Sequence, residues 1–441
     1  MHNRRFPVAL IASALFAGLF AAMPARADGV VTPTYVGMTP QDVGVMDRPR
    51  PAYDAKGIPL GGFRLFPTLD LDASYDDNVF RLATAQSDYF FTISPALRLQ
   101  SQWGRHYLEV YGGATNYEYA TLGSENLTDW KVGADGRLDI SRAAMLSANV
   151  FYGEFHELWS SPNSFTIPDA TGYQASPNRY YQTHADIQTA YQPNRLGIGF
   201  GVSYDHYNWL DTPAIGGGTL YSTDRNEDEY QGYAKLFYDF SPGYLGFVKA
   251  SYDERHFDLL YDRSGLDRSS HGYRFDGGLD MQITHLLAGE VFAGYLEQSF
   301  APYFQAPATM PLPDVSGLDY GAQLNWYASQ MLTVHLSGSR QLADVIIEGA
   351  SVADNKMVEL SADYEFRPNI IVQGSVFYTD SRFVGTTRDD TYPGAGIGVI
   401  YLVNRYMSAN LNYNYSERST DNFTEFNYTD DTVSVGLTLH L

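Results

Sequence analysis

One pattern runs from end to end of this chain: apolar and polar residues alternate with a period of two. In LGIGFGVSYDHY (196–207), Leu196, Ile198, Phe200, Val202 and Tyr204 form one row, and Gly197, Gly199, Gly201, Ser203 and Asp205 form the other. YMSANLNYNYS (406–416) alternates in the same way. The chain then ends on DTVSVGLTLHL, where Val433, Val435, Leu437, Leu439 and Leu441 interleave with Thr432, Ser434, Gly436, Thr438 and His440. Strands place successive side chains on opposite faces, so each such segment carries an apolar face and a wet face. Whatever the chain folds into must supply an apolar partner for every one of those rows.

The connections narrow the choice. Short turns at Gly104-Arg105, Ser141–Ala143, Pro193–Arg195, Pro242-Gly243, His285, Gln330, Pro368-Asn369 and Asn404-Arg405 alternate with longer polar or Gly/Pro-rich stretches. Propellers and stacked sandwiches bury their apolar rows and use turns of similar length at both ends. Strict short–long alternation is instead the layout of a transmembrane antiparallel up-and-down β-barrel, with tight periplasmic turns and long extracellular loops. Counting one strand on each side of every connection predicts about 18 strands, the first over 63–76 and the last over 426–441. The even count places both termini on the periplasmic side. Trp103 and Trp326 lie near short turns, and Trp130, Trp159 and Trp209 near long loops, as two aromatic girdles would require.

Ahead of the barrel, residues 1–27 read as a secretory signal peptide. Arg4 and Arg5 precede an apolar run, and Pro24–Ala27 supplies an Ala-x-Ala site with cleavage expected after Ala27. Residues 28–62, with Pro33, Pro40, Pro49, Pro51 and Pro59, read as a periplasmic arm or linker. Composition agrees with an exported barrel. Mean hydropathy is only −0.27 although Tyr and Phe number 35 and 25, and no cysteine occurs. The net charge of −22 speaks against nucleic acid as a partner. The expected partners are outer-membrane lipid, lipopolysaccharide and the barrel-assembly machinery. The terminal Leu441 departs from the aromatic residue such machinery usually meets.

If the apolar rows meet lipid, the other rows line a lumen. Its acidic candidates are Asp70, Asp72, Glu109, Asp135, Asp139, Asp186, Asp205, Asp239, Asp253, Asp276, Asp280, Glu290, Asp319, Glu359, Asp363 and Glu365. The basic ones are Arg98, Lys131, Arg137, Lys235, Lys249, Arg255, Arg274 and Arg367. Such charges either pair across neighbouring strands and keep the lumen solvated, or set a net acidic selectivity field; both can hold together. Tyr107, Tyr111, Phe151, Tyr233, Phe237, Phe247, Phe292, Tyr327 and Phe377 also point inward. They could stack sugar rings, or pack on an inward-folded loop or the arm. The acidic run DRNEDE (224–229) is expected to be a solvated part of an external loop.

No cofactor, metal site or catalytic residue is indicated. GIGFG (197–201) and GAGIG (394–398) lack the helix a phosphate loop needs and read as small lumen-facing residues. HExxH and GxSxG are both absent. A lipid-facing Ser–His pair, for instance near His206, is not singled out by anything in the sequence.

FPTLDLDASYDDNVFR (66–81) followed by SDYFFTISPALRLQSQW (87–103) resembles the opening of the putative β-barrel porin type 2 family. The residues carrying the resemblance are Tyr75, Asp76, Asp77, Asn78, Val79 and Phe80, then Ser94, Pro95, Leu97 and Leu99. The resemblance implies a non-enzymatic outer-membrane barrel. Its members' link to exopolysaccharide and capsule genes implies a conduit for polysaccharide export, partnered by periplasmic export proteins. A general porin for small solutes and an adhesive barrel acting through its loops are the alternatives.

Overall fold

The computed structural model describes residues 43–164, 174–283, 286–421 and 423–441. The expected signal peptide, the arm as far as residue 42 and the short turn at His285 lie outside the described residues, as does part of the loop after the fifth strand.

Eighteen long strands form the wall. They are β1 Phe63–Asp76, β2 Asp88–Ser101, β3 Tyr107–Tyr119, β4 Leu127–Asp139, β5 Ala144–His156 and β6 Arg179–Tyr191. Next come β7 Leu196–Trp209, β8 Glu227–Ser241, β9 Tyr244–Phe257, β10 Ser270–Ile283, β11 Leu287–Phe300 and β12 Val315–Ser329. The last six are β13 Leu332–Asp344, β14 Val352–Arg367, β15 Ile370–Phe383, β16 Asp389–Asn404, β17 Met407–Thr420 and β18 Tyr428–His440. Each pairs antiparallel with its sequence neighbours, and β18 closes on β1 with Leu71 opposite Leu437 and Tyr75 opposite Val433. Closure leaves no edge strand, which a lipid environment demands because it offers no partner to a free N–H or C=O. Among the described residues no helix is long and apolar enough to cross a membrane.

The apolar rows face outward throughout. Val435 in β18 is 57% exposed, Val202 in β7 61% and Phe275 in β10 60%, values that make sense only against lipid. Tight turns hold the periplasmic end. In the β8–β9 turn Gly243 takes φ +83°, and a Cβ there would press on the carbonyl oxygen of Gln282. Trp103 and Trp326 are half exposed near such turns, as a periplasmic girdle requires. At the other end the expectation fails in part. Trp130 packs edge-on against Tyr152, but Trp159 is buried in a loop and the ring of Trp209 lies under the Arg225 guanidinium.

The residues that carried the family resemblance do local work. Asn78 is buried and donates through Nδ2 to the carbonyls of Leu82 (2.8 Å) and Thr429 (2.9 Å). Arg81, the only described non-glycine residue at positive φ (56°), bridges Asp76 at 3.0 Å and Asp430 at 2.7 Å. Asp77 accepts from the backbone N–H of Asp431. The Asp-Asp-Asn-Val-Phe-Arg run therefore ties the β1–β2 loop to β18 and locks the seam where the barrel closes. Asp76, Asp77 and Asp430 lie close enough to share an ion, but the Arg81 guanidinium already pairs with two of them, Asp76 and Asp430.

Candidate functional site: the lumen and its two mouths

Strand parity puts the charged candidates on the inner rows, and cross-strand pairs tie many of them together. Lys235 binds Glu290 at 2.9 Å, Arg274 binds Asp319 at 3.4 Å and Arg98 lies 3.9 Å from Glu109. Arg137 meets Asp139 at 3.3 Å, and Asn149 donates to Asp135. His184 bridges Asp205 (2.8 Å) and Asp186 (3.7 Å), while His335 lies 3.1 Å from Asp363. Lys249 and Asp276 are direct cross-strand neighbours, and Asp280 stands opposite Glu290. Asp239 lies where the β8–β9 register shifts, Asp253 beside Arg255 at 3.9 Å, and Glu359 on the inner row of β14. Arg367 lies at the periplasmic end of β14, where the register also shifts. Between the two rims the inward lysines and arginines lie on β2 to β10, whereas the inner rows of β15 to β18 are mostly Ser, Thr, Asn, Gln and Gly. Carboxylates outnumber cations over the whole lining.

The inward aromatics have a more specific setting than a sugar track. Six of them stand directly opposite a glycine of the next strand: Tyr111 on Gly133, Tyr233 on Gly201, Phe237 on Gly197, Phe247 on Gly278, Phe292 on Gly321 and Phe377 on Gly394. A Cβ at any of these glycines would strike the ring. The rings lie over the gaps their neighbours leave, which stiffens the wall. GIGFG and GAGIG supply three of those glycines. Lysines cover several of the rings: Lys235 over Phe247 at 3.8 Å, Lys249 over Tyr233 at 5.0 Å and Lys131 over Tyr111 at 5.8 Å. Phe151 stacks on His184 at 5.0 Å, Tyr107 donates to Glu109, and Tyr327 sits in the register shift ending β12.

At the periplasmic mouth, the described part of the arm enters the lumen. Residues 58–60 pair with β1, and the N–H of Gly57 donates to the carbonyl of Leu441. Further back the chain reaches the inner rows of β13 and β14. There the N–H of Val45 donates to Thr333 Oγ1 at 2.9 Å, and Arg48 and Arg50 bind Glu365 at 3.2 and 2.8 Å. Burial pushes the carboxyl of Asp47 above the usual range; His335 opposes the shift and the Asp363 charge adds to it.

At the external mouth, residues 157–164 fold inward and touch loops from around the ring. The Trp159 ring packs on Phe80 of the β1–β2 loop, and its Nε1 donates to Glu125 of the β3–β4 loop at 2.8 Å. Glu157 accepts both arms of the Arg225 guanidinium, from the β7–β8 loop, at 2.9 and 2.8 Å. Asn163 accepts from the N–H of Ile346 and donates to the carbonyl of Asp344, at the tip of β13. Arg268 of the β9–β10 loop donates to the carbonyls of Val345 and Ala350. Loop 157–164 is therefore a buttressed strap from β5 across to β13.

DRNEDE is not the solvated run its composition suggests. Arg225, Glu227 and Glu229 are each more than nine-tenths buried, because the 3₁₀ turn at Thr223–Arg225 and the start of β8 aim them into the mouth. Reading along the chain also passed over Glu157, Tyr180, Tyr207, Phe257 and Asp344. Their parity was legible as inward, but nothing local says which loop folds back over them. His206 faces outward and is hydrogen-bonded to Asp228 at 2.9 Å rather than to a serine.

A closed, membrane-spanning barrel with a charged lumen and inward-folded segments at both mouths has the architecture of an outer-membrane porin. The chain belongs to the family described as Putative beta-barrel porin 2, whose model matches residues 50–441. In solved structures it is similar to a BenF-like porin from Pseudomonas fluorescens Pf-5, at 13% identity and a TM-score of 0.46, over 87% of this chain and 100% of the other. It is also similar to Pseudomonas aeruginosa OpdK with vanillate (12%, 0.43, 86% and 98%) and to P. aeruginosa OccK2 (OpdF) in complex with glucuronate (12%, 0.45, 88% and 100%). No curated protein matches it in sequence.

Proposed function

We propose that this barrel is a non-enzymatic diffusion porin for small polar solutes, with a preference for cations over anions. The carrying observation is the strap at residues 157–164, which spans the external mouth and is held by hydrogen bonds and a buried ion pair. A fixed strap suits passage of small molecules better than passage of a polymer chain. The arm against β13 and β14 narrows the inner mouth in the same sense. Polysaccharide export, expected from the family resemblance alone, gains no support. The aromatics that would form a sugar track lie over wall glycines, several of them beneath lysines. The charge preference follows from the excess of carboxylates along the lining, since a net negative lumen concentrates cations.

The full chain, purified and placed in planar bilayers without any partner, should conduct constitutively. Under a salt gradient the reversal potential should carry the sign of cation preference, and liposome swelling should admit monosaccharides and amino acids while excluding oligosaccharides. A silent bilayer, an anion preference, or swelling that ignores solute size would overturn the reading.

A further inference from the structure

Beneath the strap lies a small cavity of about 70 Å³, placed among the inward-facing residues at the external ends of β6 to β9. Among the residues that line it is Glu227, the first residue of β8. Strand register sets Glu227 directly between Tyr207 of β7 and Phe257 of β9, both of them buried. Tyr180 and Trp209, themselves cross-strand neighbours with rings 4.5 Å apart, extend the aromatic lining, and Asp344 closes it from the tip of β13. The result is a carboxylate set among rings.

The electrostatics of the cavity are unbalanced. Arg225 is committed to Glu157, with its guanidinium plane over Trp209 at 3.4 Å. Arg255 is shared by three carboxylates: Asp344, which it contacts directly, Glu229 at 3.8 Å and Asp253 at 3.9 Å. Glu227 is left over. It is only 8% exposed, its Oε2 has no hydrogen-bond partner, and no described cation forms an ion pair with it. An unpaired buried carboxylate is expensive, so such a group is met either by a proton or by a cation that supplies the missing positive charge, and the cavity beside Glu227 leaves room for the cation. Rings around a carboxylate suit a cation carried on carbon, since a ring face attracts an alkylammonium that has shed much of its water. The cavity has room for an ammonium group with a few carbon atoms.

We infer that the external mouth contains a binding site for small organic ammonium ions, with Glu227 as the counter-ion and Tyr207 and Phe257 as its walls. Ammonium-bearing solutes are then the class the pore selects at its entrance. The inference rests on the porin reading only in taking the mouth to be open to solvent.

Binding is tested apart from conduction, by titrating the detergent-solubilised full chain calorimetrically with methylammonium chloride against sodium chloride of equal ionic strength. Saturable heat with methylammonium alone is expected, at least tenfold weaker binding in Glu227→Gln, and wild-type binding in Asp70→Asn, whose carboxylate lies elsewhere in the lumen. Tyr207→Leu should weaken binding and Tyr207→Phe should retain it, which a loss of fold would not mimic. Each variant is shown to be folded by its heat-dependent gel mobility. No saturable binding to the wild type, equal heats with sodium, or unchanged binding in Glu227→Gln would overturn the site. A conducting barrel without methylammonium binding would sink this inference and leave the porin reading standing; a silent barrel that binds would do the reverse.

Discussion

Arg225→Ala is expected to raise the single-channel conductance severalfold and to admit solutes the wild type excludes. Arg225 and Glu157 are both nearly devoid of solvent contact, and the guanidinium binds both carboxylate oxygens. Ser161 and Asn178 complete the carboxylate's hydrogen bonds at 2.9 and 3.0 Å. Removing one partner of a buried pair leaves a charge with neither solvent nor counter-ion, at a cost of about 3–5 kcal/mol. The strap can escape that cost by swinging out to let Glu157 reach water, and this movement opens the mouth. Arg225→Ala combined with Glu157→Gln removes the stranded charge and should recover most of the wild-type conductance. If both variants conduct like the wild type, the strap does not set the pore size.

The same pair fixes a pH dependence. Burial pushes the Glu157 carboxyl upward, but the Arg225 charge and the hydrogen bonds from Arg225, Asn178 and Ser161 outweigh it and hold the group below its ordinary value. For a carboxyl depressed in the folded state, the stabilisation is present above the unfolded value of roughly 4.3 and is lost as pH falls through the folded one. Conductance should therefore stay flat from about pH 5 to 8 and rise only in stronger acid. A rise already at about pH 6 would assign the gating to another group.

Period-two alternation made the wall readable almost residue by residue, because a barrel strand obeys only one rule: lipid on one face, lumen on the other. The predicted first strand over 63–76 is the observed β1, and the inner-row parity of Asp135, Asp186, Asp205 and Glu359 follows from the same count. The contents of the mouths were not readable in this way. Whether Glu227 meets solvent or two rings depends on a strap that begins some seventy residues earlier and ends against β13. Such contacts leave no periodicity in the sequence. Trp159 and Trp209 illustrate the same limit, since nearness to a long loop suits a lipid girdle and an inward plug alike, and only the loop's path decides between them. The inward aromatics were legible as inward, but their glycine partners became visible only once the strands were in register.

Val435→Arg is expected to abolish barrel assembly, whereas Ser434→Arg, one residue away, should leave the barrel intact. Val435 stands on the lipid face of β18, opposite Ala73 of β1 and Leu411 of β17, so the substitution falls beside the seam where the barrel closes. A guanidinium on the lipid face near the bilayer midplane costs about 2–4 kcal/mol, and a closing strand has no later pairing to compensate. Ser434 lies on the inner row between Ser74 and Asn412, where an arginine meets water and a lumen rich in carboxylates. The comparison uses the same residue type, strand and depth, so a difference between the two variants can come only from which face meets lipid. Heat-modifiable gel mobility of outer-membrane fractions reads it directly: the folded band is lost in Val435→Arg and kept in Ser434→Arg. Ser434→Arg should in addition shift the reversal potential toward anions, because it adds a cation to a stretch of wall that has none. Two folded bands, or two lost ones, would contradict the assignment of faces on which the lumen, its charge and its occupants all depend.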